Sequence, residues 1–248
     1  MKALVLCAGY GTRLGALTSE TPKPMLPLGG EPLLAHTLRL LARHGFAEVA
    51  VNLHFRPDAI PEHFGDGARF GVRLRYQREE SLLGTAGSVK RLEPFFADVE
   101  DFLVLYGDVV TDQDLGALVH AHRERGAAAT LVLHRRAASN SVVETDDTGR
   151  ITRFLERPSD AERARSSAPF PSPWVNSGLQ MLSRCLLSRI PAGRPADLPR
   201  DLYIPALGAE PLYGFPLTGY RCAIDSPERY QEAENALREG RFRPPGRT

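Results

Sequence analysis

The stretch from Leu4 to Leu14 reads LVLCAGYGTRL and joins a short apolar run to two closely spaced glycines. Its apolar beginning predicts a short buried strand. Gly9 and Gly11 then allow the backbone to turn tightly and to approach a ligand closely, because neither residue carries a Cβ atom. Consecutive N–H groups in such a turn converge on anionic oxygens, and Arg13 adds a positive charge. The stretch therefore predicts a strand followed by a phosphate-binding loop.

A second motif, TPKPMLP from Thr21 to Pro27, places Lys23 in a rigid proline frame close behind this loop. The two motifs do not fit a dinucleotide-binding fingerprint, which needs glycine at the position of Leu14 and a helix that starts at once. Four prolines between Thr21 and Pro32 prevent that helix. The P-loop pattern, with Gly-Lys-Ser/Thr at its end, does not occur in the sequence. Another kind of nucleotide site is indicated.

Downstream of the loop, apolar residues at helical spacing alternate with short apolar runs that have the length of strands. The run from Phe102 to Tyr106 is uninterrupted, as is typical of a central parallel strand. The elements expected in the first half are helices 31–45, 58–64, 84–92 and 112–125, and strands 49–51, 71–76, 102–106 and 128–134. This alternation predicts an α/β fold with a doubly wound, mostly parallel, Rossmann-like sheet.

Beyond residue 135 the pattern changes to shorter strands and longer polar segments. The elements expected there are strands 141–144, 151–154, 174–182, 212–217 and 220–224, and helices 183–189, 201–207 and 226–238. A polar loop over 157–173 is expected to be mobile, and the tail 242–248 is expected to be frayed. We interpret residues 1–248 as a single domain. Its nucleotide-binding half spans 1–135, a smaller antiparallel acceptor-binding insertion spans 136–225, and a closing helix and tail span 226–248.

The composition limits the classes of partner. The chain carries 31 basic and 30 acidic residues, a net charge of +1, so neither nucleic acid nor a membrane surface is an expected partner. Three cysteines, Cys7, Cys185 and Cys222, lack metal-ligand spacing and make an odd number, which argues against a disulfide framework. Only six residues precede Cys7, too few for the apolar core of a signal peptide. A cytoplasmic location is therefore expected, and a homodimer is left open.

Asp108 follows the apolar run 102–106 and is a candidate metal ligand. Ligands of open α/β sheets bind beyond the carboxyl ends of the strands, where this residue and the glycine loop are expected to meet. An alternative role for Asp108 is to cap the next helix. Thr111, with Asp114 three residues later, resembles a capping box that would fill that role. We therefore favour Asp108 as a ligand of a divalent cation.

Asp225 is a second candidate metal ligand. It precedes Ser226, a good helix N-cap, and Pro227, which suits the first helical position, so Asp225 is not needed as a cap. Two carboxylates suit Mg²⁺, which prefers a few hard oxygen ligands together with substrate phosphates and water. Asp108 and Asp225 are therefore a candidate pair of metal ligands.

The glycine loop and the TPKP motif resemble the signature of the sugar-1-phosphate nucleotidyltransferases, and matches continue to the last helix. The resemblance implies transfer of a nucleotidyl group from a nucleoside triphosphate to a sugar 1-phosphate, with release of pyrophosphate and with catalytic Mg²⁺ at Asp108. It also implies that Arg13 grips the triphosphate and that Lys23 stabilises developing charge. A side-chain amide is commonly used on the base, and Gln77 is the nearest candidate. The other implied nucleotide contacts are Leu6, Ala8, Gly9, Gly11, Thr12, Gly84 and Thr85.

The acceptor side of the resemblance is less close. Glu156-Arg157-Pro158 stands where many relatives have Glu-Lys-Pro, in which glutamate binds sugar hydroxyls and lysine binds the sugar phosphate. Arginine offers a planar fork in place of the lysine point charge. Asn176-Ser177-Gly178 resembles Asn-Ala-Gly, whose asparagine binds acceptor hydroxyls, and an asparagine that supports a turn is the alternative. Gly107 is also assigned to the sugar phosphate.

One departure affects the metal site and the choice of function. Many relatives carry their second metal-binding aspartate where this chain has Ala223, whereas the Asp-Thr-Pro-Glu run of distant cytidylyltransferases matches Asp225 onward. The LGTAG form of residues 83–87 and the short chain favour GTP as donor, with a hexose, heptose or cyclitol 1-phosphate as acceptor. Two alternatives stay open. One is a non-catalytic nucleotide-sugar-binding regulatory protein, and the other is a transferase that uses a finished nucleotide sugar.

Overall fold

The sheet is built around the strand that the first motif predicts. The computed structural model describes residues 1–136, 141–157, 159 and 174–246. In chain order the strands are β1 (Lys2–Leu6), β2 (Pro27–Leu28), β3 (Glu31–Pro32), β4 (Glu48–Leu53), β5 (Arg73–Arg78), β6 (Asp101–Tyr106), β7 (Val109–Thr111), β8 (Ala129–Arg135), β9 (Ser141–Thr145), β10 (Ile151–Glu156), β11 (Trp174–Ser183), β12 (Leu212–Pro216) and β13 (Arg221–Ala223). In these ranges nine strands form the main sheet, in the order β10-β9-β11-β6-β1-β4-β5, with β8 and β12 attached through β11.

Parallel pairing around β1 brings the strand ends together. β1 lies parallel to β4 and to β6, and β4 lies parallel to β5. Leu6 pairs with Asn52 on one side and with Tyr106 on the other. The carboxyl ends of three strands therefore meet at one edge of the sheet. The glycine loop that follows β1 and Asp108, which follows β6, emerge side by side at this edge.

Helices cover both faces of this sheet. In chain order they are α1 (Leu33–Arg43), α2 (Ala59–Phe64), α3 (Gly84–Arg91), α4 (Leu115–Glu124), α5 (Ile204–Ala206) and α6 (Pro227–Arg238). Leu4 of β1 packs in one core cluster with Ala86 of α3, while Val5 packs in a second with Leu38 of α1. All four side chains are buried, and successive residues of β1 therefore serve opposite faces, as a strand requires. The prediction of a doubly wound α/β sheet is confirmed.

The strands of the second half extend the same sheet. β11 lies antiparallel to β6 and to β8, β9 lies antiparallel to β10, and β12 lies parallel to β8. A separate two-stranded ribbon joins β7 to β13, with Val109 opposite Ala223 and Thr111 opposite Arg221. The antiparallel strands expected in the second half are thus continuous with the parallel core. No helix in the described ranges is long and apolar enough to cross a membrane.

The capping box expected at Thr111 is wrong. Thr111 ends β7, and its hydroxyl donates a hydrogen bond to the carbonyl of Tyr220. Asp114 is itself the N-cap of α4, because its carboxylate accepts a hydrogen bond of 3.0 Å from the N–H of Ala117. The carbonyl of Tyr220, directly before β13, is the partner of the threonine, and the pairing of β13 with β7 is what the spacing cannot reveal. The conclusion that Asp108 is not the helix cap still holds.

The frayed tail expected from Phe242 is also wrong at its start. Phe242 is 1% exposed, and its ring centroid lies 5.9 Å from that of His36 and 5.3 Å from that of Tyr220. The N–H of Arg243 donates to the carboxylate of Asp112 at 3.0 Å. Burial of one aromatic ring offsets the entropy of ordering a short tail. Of the expected mobile loop over 157–173, residues 158 and 160–173 lie outside the described residues.

Candidate active site

A cavity of about 270 Å³ opens at the edge where β1, β4 and β6 end. Its wall combines the glycine loop, the proline-framed lysine, the end of β6 and the beginning of α3. The lining residues are Leu6, Cys7, Ala8, Gly9, Gly11, Lys23, Pro24, Asn52, Glu79, Leu82, Gly84, Thr85, Ser88, Tyr106, Gly107, Asp108 and Asp197. This position at the carboxyl ends of parallel strands is where open α/β sheets bind ligands.

Two glycines shape the wall in different ways. A Cβ atom added to Gly9 would meet no atom within 4 Å, so the cavity is open directly above this residue. A Cβ atom added to Gly107 would lie 2.6 Å from the sulfur of Cys7 and 2.8 Å from the carbonyl oxygen of Leu6. Gly107 therefore permits the close approach of the β6 end to the β1 end. This packing fixes the position of Asp108 next to the loop.

A buried polar network beneath the glycine loop was not anticipated. The Oδ1 atom of Asn52 accepts a hydrogen bond of 2.6 Å from the N–H of Cys7, and its Nδ2 atom donates to Glu79 at 2.9 Å and to Ser88 at 3.0 Å. Ser88 in turn donates to Glu79 at 2.6 Å. Mutual satisfaction of buried polar groups makes such a network rigid. The sequence feature that could have indicated this network is a polar residue, Asn52, near the end of the otherwise apolar strand β4.

Lys23 and Asp108 form an ion pair in the cavity wall. The Nζ atom of Lys23 lies 3.0 Å from Oδ2 of Asp108. The lysine side chain is 11% exposed and the aspartate side chain 26%, so the pair is partly shielded from water. Pro24 follows the lysine in a 3₁₀ turn, Lys23–Met25, which limits its backbone freedom. Two residues predicted for separate roles are thus brought into direct contact.

Arg13 and Asp225 form a second, looser ion pair. The Nη1 atom of Arg13 lies 3.4 Å from Oδ2 of Asp225, and the arginine side chain is 67% exposed. Arg13 and Thr12 begin the 3₁₀ turn Thr12–Thr18, outside the lining of the cavity. The hydroxyl of Thr18 donates to the carbonyl of Gly11 at 2.9 Å and ties this turn to the loop. Arg13 is therefore placed at the rim.

The ribbon of β7 and β13 brings the two candidate metal ligands together. The N–H of Ile224 donates to the carbonyl of Asp108 at 2.8 Å, so the backbone of Asp225 lies near that of Asp108. Within the described part of the chain, no cluster of three or more His, Cys, Asp or Glu side chains is placed to hold a metal ion. Two hard carboxylates are a donor set that Mg²⁺ accepts when phosphates and water complete it. Asp108 and Asp225 fit that requirement.

The beginning of α3 forms the far wall of the cavity. Gly84 has a φ of +73°, and an added Cβ atom would lie 2.5 Å from the carbonyl oxygen of Ala196. The hydroxyl of Thr85 accepts a hydrogen bond of 2.8 Å from the N–H of Leu198. Asp197 lies 3.3 Å from the same hydroxyl and lines the cavity, a contribution that was not anticipated. The two predicted nucleotide contacts are thus held in place by the segment before α5.

Gln77 is not among the residues that line the cavity. It lies on β5, and its side-chain amide donates to the carbonyl of Arg78 at 2.9 Å. Glu79, two residues later, lines the cavity instead and is 6% exposed. The geometry therefore offers no support for a contact between Gln77 and a base.

Of the predicted acceptor residues, Gly107 lines this cavity, whereas Glu156, Arg157 and Asn176 lie outside its lining. Glu156 is partly buried, and burial raises its pKa, although the neighbouring charge of Arg157 acts in the opposite direction. The Nε atom of Arg157 lies 3.8 Å from a carboxylate oxygen of Glu156. Asn176 accepts a hydrogen bond of 3.0 Å from the N–H of Gly178 and so supports a turn. Pro158 lies outside the described residues.

Comparison with known proteins matches this chain to one protein family and to relatives with similar names. A family model described as nucleotidyl transferase matches residues 2–200. A Synechocystis protein named UTP--glucose-1-phosphate uridylyltransferase is 37% identical over 219 residues, which cover 82% of this chain and 54% of that protein. A Mycobacterium tuberculosis protein named mannose-1-phosphate guanylyltransferase is 33% identical over 243 residues, which cover 96% of this chain and 65% of that protein. The chain thus spans less than two thirds of the length of either relative.

A solved structure supports the fold. HddC from Yersinia pseudotuberculosis, crystallised with GMP-PN, superimposes with a TM-score of 0.78 at 19% identity. The superposition covers 95% of this chain and 99% of HddC. The similarity therefore includes the strands of both halves of the sheet.

Proposed function

Because the chain belongs to the nucleotidyl transferase family, we propose that it transfers a nucleoside monophosphate from a nucleoside triphosphate to a sugar or sugar-like 1-phosphate. Pyrophosphate is the second product. The observation that carries this proposal is the meeting of a glycine loop, Lys23 and Asp108 in one cavity wall, with the Lys23 ammonium 3.0 Å from the Asp108 carboxylate. The names of the two relatives support the same reaction.

GTP is the proposed donor. The relative named as a guanylyltransferase aligns with 96% of this chain, whereas the relative named as a uridylyltransferase aligns with 82%. The LGTAG segment at residues 83–87 agrees with this choice, and its Gly84 and Thr85 line the cavity. UTP is the first alternative to test, because the uridylyltransferase has the higher identity. The acceptor is proposed to be a hexose, heptose or cyclitol 1-phosphate.

Mg²⁺ is the proposed cofactor, with Asp108 and Asp225 as its ligands. When bound, the ion would neutralise charge on the α-phosphate. Asp108 and Asp225 each have a cationic partner, Lys23 at 3.0 Å and Arg13 at 3.4 Å. With the two carboxylates engaged in this way, Lys23 and Arg13 would be free to contact the phosphates.

Arg13 and Lys23 are proposed to bind the triphosphate on the side of the glycine loop. An oxygen of the acceptor phosphate forms a bond to the α-phosphorus, the bond from that phosphorus to the bridging oxygen of the β-phosphate breaks, and pyrophosphate leaves with that electron pair. The acceptor phosphate is already an anion at neutral pH, so no general base is required. The chain's residues act by holding two anions in line and by balancing their charge.

A regulatory protein that binds nucleotide sugars is the second candidate. Ala223 is the feature in its favour, because many relatives have a metal-binding aspartate there. Arg13, Lys23 and Asp108 are all present, which favours catalysis.

The three free cysteines, Cys7, Cys185 and Cys222, support the expectation of a reducing cytoplasm. The homodimer stays a prediction.

The proposal is tested by pyrophosphate release with Mg²⁺ and five nucleotides, GTP, UTP, CTP, dTTP and ATP. Each nucleotide is combined with a panel of hexose, heptose and cyclitol 1-phosphates, and each mixture is repeated with EDTA. Release that needs one nucleotide, one acceptor and Mg²⁺ would support the transferase. Absence of release in every mixture, together with tight binding of a nucleotide sugar, would favour the regulatory protein.

A further inference from the structure

Arg221 lies outside the lining of the cavity but close enough to Asp108 to feel its charge, and no motif pointed to it. It belongs to β13, and its Nε atom donates a hydrogen bond of 3.0 Å to the carbonyl of Ser177 on β11. Ser177 stands two residues before Leu179, which pairs with Leu105 of β6. The guanidinium is therefore held near the carboxyl end of β6, where Asp108 follows.

Among the described residues, the guanidinium of Arg221 lacks an ion-pair partner. Across residues 1–136, 141–157, 159 and 174–246, no carboxylate oxygen lies within the 4.0 Å limit of a salt bridge to it. Its bond to Ser177 uses Nε, and neither Nη atom has a hydrogen bond to a described residue. Burial lowers its pKa, but a guanidinium remains charged at neutral pH. Partly buried charges usually have a counter-ion, so this cation has unused capacity for an anion.

Asp108 does not need Arg221 for charge balance. Its carboxylate already accepts a hydrogen bond of 3.0 Å from Lys23, which comes from the loop after β1. Asp108 still contributes a favourable charge at Arg221, whereas Arg229 and Arg136 contribute unfavourable ones. Arg221 therefore lies near two further positive charges, Arg136 and Arg229, of which Arg229 is paired with Glu232.

We propose that Arg221 binds the phosphate of the acceptor substrate, an inference that rests on the proposed function. Its two Nη atoms form a planar fork that matches two phosphate oxygens. Lys23 and Arg221 come from different halves of the chain, and they would hold the donor and the acceptor phosphates on opposite sides of Asp108. The positive charge of Arg221 reduces the repulsion between these two anions as they approach.

The test separates acceptor binding from donor binding in steady-state kinetics. Arg221→Gln removes the charge and the fork, and we expect the KM for the acceptor to rise by about 10- to 100-fold, the usual worth of a charge-assisted hydrogen bond. The KM for GTP should stay within about twofold, because the donor contacts lie on the glycine-loop side. Arg221→Lys should fall between wild type and Arg221→Gln, since it keeps the charge and loses the fork.

Arg184→Gln is the matched control. The Nε atom of Arg184 also donates to a backbone carbonyl, that of Val99 at 3.1 Å, but it lies at the opposite end of β6. Both kinetic constants should stay at the wild-type values in this variant. If Arg221→Gln changed only the unfolding midpoint, or raised the KM for GTP instead, Arg221 would be a structural or a donor-binding residue and the proposal would be wrong.

A binding measurement does not depend on turnover. The chain has one tryptophan, Trp174, which stands two residues before Asn176 on β11. Its fluorescence is titrated with mannose 1-phosphate, glucose 1-phosphate and the two free sugars. We expect the wild type to respond to a sugar phosphate at concentrations where the free sugar gives no response, and Arg221→Gln to need at least about tenfold more.

The two measurements separate the two proposals. If the wild type released no pyrophosphate but the Arg221→Gln substitution weakened sugar-phosphate binding, the transferase would be wrong and the assignment of Arg221 would stand. If the wild type were active and Arg221→Gln kept its acceptor KM and its binding, the assignment of Arg221 alone would fail. If Arg221→Gln did not fold, Arg221→Lys would decide by the same criteria. A wild type that neither turned over nor bound any sugar phosphate would overturn both.

Discussion

The ammonium of Lys23 lies 3.0 Å from the carboxylate of Asp108, so a cation from the loop after β1 and an anion from the end of β6 neutralise each other. Arg13 and Asp225 repeat this arrangement at the rim, with 3.4 Å between Nη1 and Oδ2. Each pair joins a proposed phosphate-binding residue to a proposed metal ligand. Each of these two pairs is neutral by itself, and we expect binding of Mg²⁺ and triphosphate together to exchange both pairs.

Lys23→Gln should separate the two roles of this lysine. Loss of the ammonium should lower kcat by about 100-fold or more, because a charge directed at the reacting phosphate is removed. The Mg²⁺ concentration for half-maximal rate should fall, because the cation that competes for Asp108 is absent. A Mg²⁺ titration of the initial rate measures both effects. In the control Lys90→Gln, which loses a pair with Glu93 away from the cavity, both values should stay unchanged.

Asp225→Ala tests the second carboxylate. We expect the Mg²⁺ concentration for half-maximal rate to rise by at least about tenfold, since loss of even an outer partner of a metal usually has that effect. The control is Glu228→Ala, three residues further on at the beginning of α6, which removes a fully exposed carboxylate. A Mg²⁺ titration of Asp225→Ala that coincides with the wild type would exclude Asp225 from the metal site.

Alanine at the two glycines of the cavity wall should give opposite results. Gly9→Ala should leave the urea midpoint unchanged, because the new Cβ atom meets nothing within 4 Å, but it should raise the KM for GTP by crowding the loop. Gly107→Ala should destabilise the fold by about 1 to 3 kcal/mol, because its Cβ atom would lie 2.6 Å from the sulfur of Cys7. Equal urea midpoints for both variants would show that the close approach at Gly107 is not required.

His134 should make stability depend on pH. Its pKa is lowered to about 4, by burial first and then by neighbouring arginines led by Arg221. As the pH falls, the imidazole of His134 is therefore protonated at a higher pH in the unfolded chain than in the folded one. His134 should therefore leave the free energy of unfolding unchanged above about pH 6.5. As the pH falls toward 4, it should lower the free energy of unfolding by about 2 to 3 kcal/mol.

Urea unfolding at several pH values measures this effect. His134→Gln should show a shallower decrease below pH 6.5 than the wild type, since it has no imidazole to protonate. His120→Gln, at a side chain that is 81% exposed, should follow the wild-type curve. Superimposable curves for the wild type and His134→Gln would mean that burial of this imidazole does not influence stability.

Local patterns were sufficient for the central part of the fold. The apolar run before Gly9 and the run 102–106 could be recognised as strands because buried parallel strands are continuously apolar. In the structure they are adjacent and parallel. The rule that ligands bind at the carboxyl ends of strands then placed the glycine loop next to Asp108. Ser226 caps the last helix as expected, accepting a hydrogen bond of 3.3 Å from the N–H of Arg229.

Contacts between distant segments were not predictable in the same way. Asn52, Glu79 and Ser88 form one network only because β4, β5 and α3 meet, and none of the three belongs to a motif. Arg221 is brought near the end of β6 by the ribbon of β7 and β13, a pairing across more than a hundred residues. The burial of Phe242 likewise depends on rings from remote segments. Sequence spacing reports local periodicity, whereas these positions depend on the packed sheet.

The central claim is tested most directly by Asp108→Asn, compared with Asp114→Asn. Asparagine keeps the size of each side chain, and at Asp114 it can still cap α4, so both variants should fold. Asp108→Asn should unfold at a lower urea concentration than the wild type, because the Lys23 ammonium loses its carboxylate partner. Transfer of the labelled α-phosphate group of GTP to the acceptor is measured with Mg²⁺ present. We expect the wild type and Asp114→Asn to transfer at equal rates, and Asp108→Asn to be slower by about 1000-fold. Near-normal transfer by a folded Asp108→Asn protein would contradict the proposed role of this cavity.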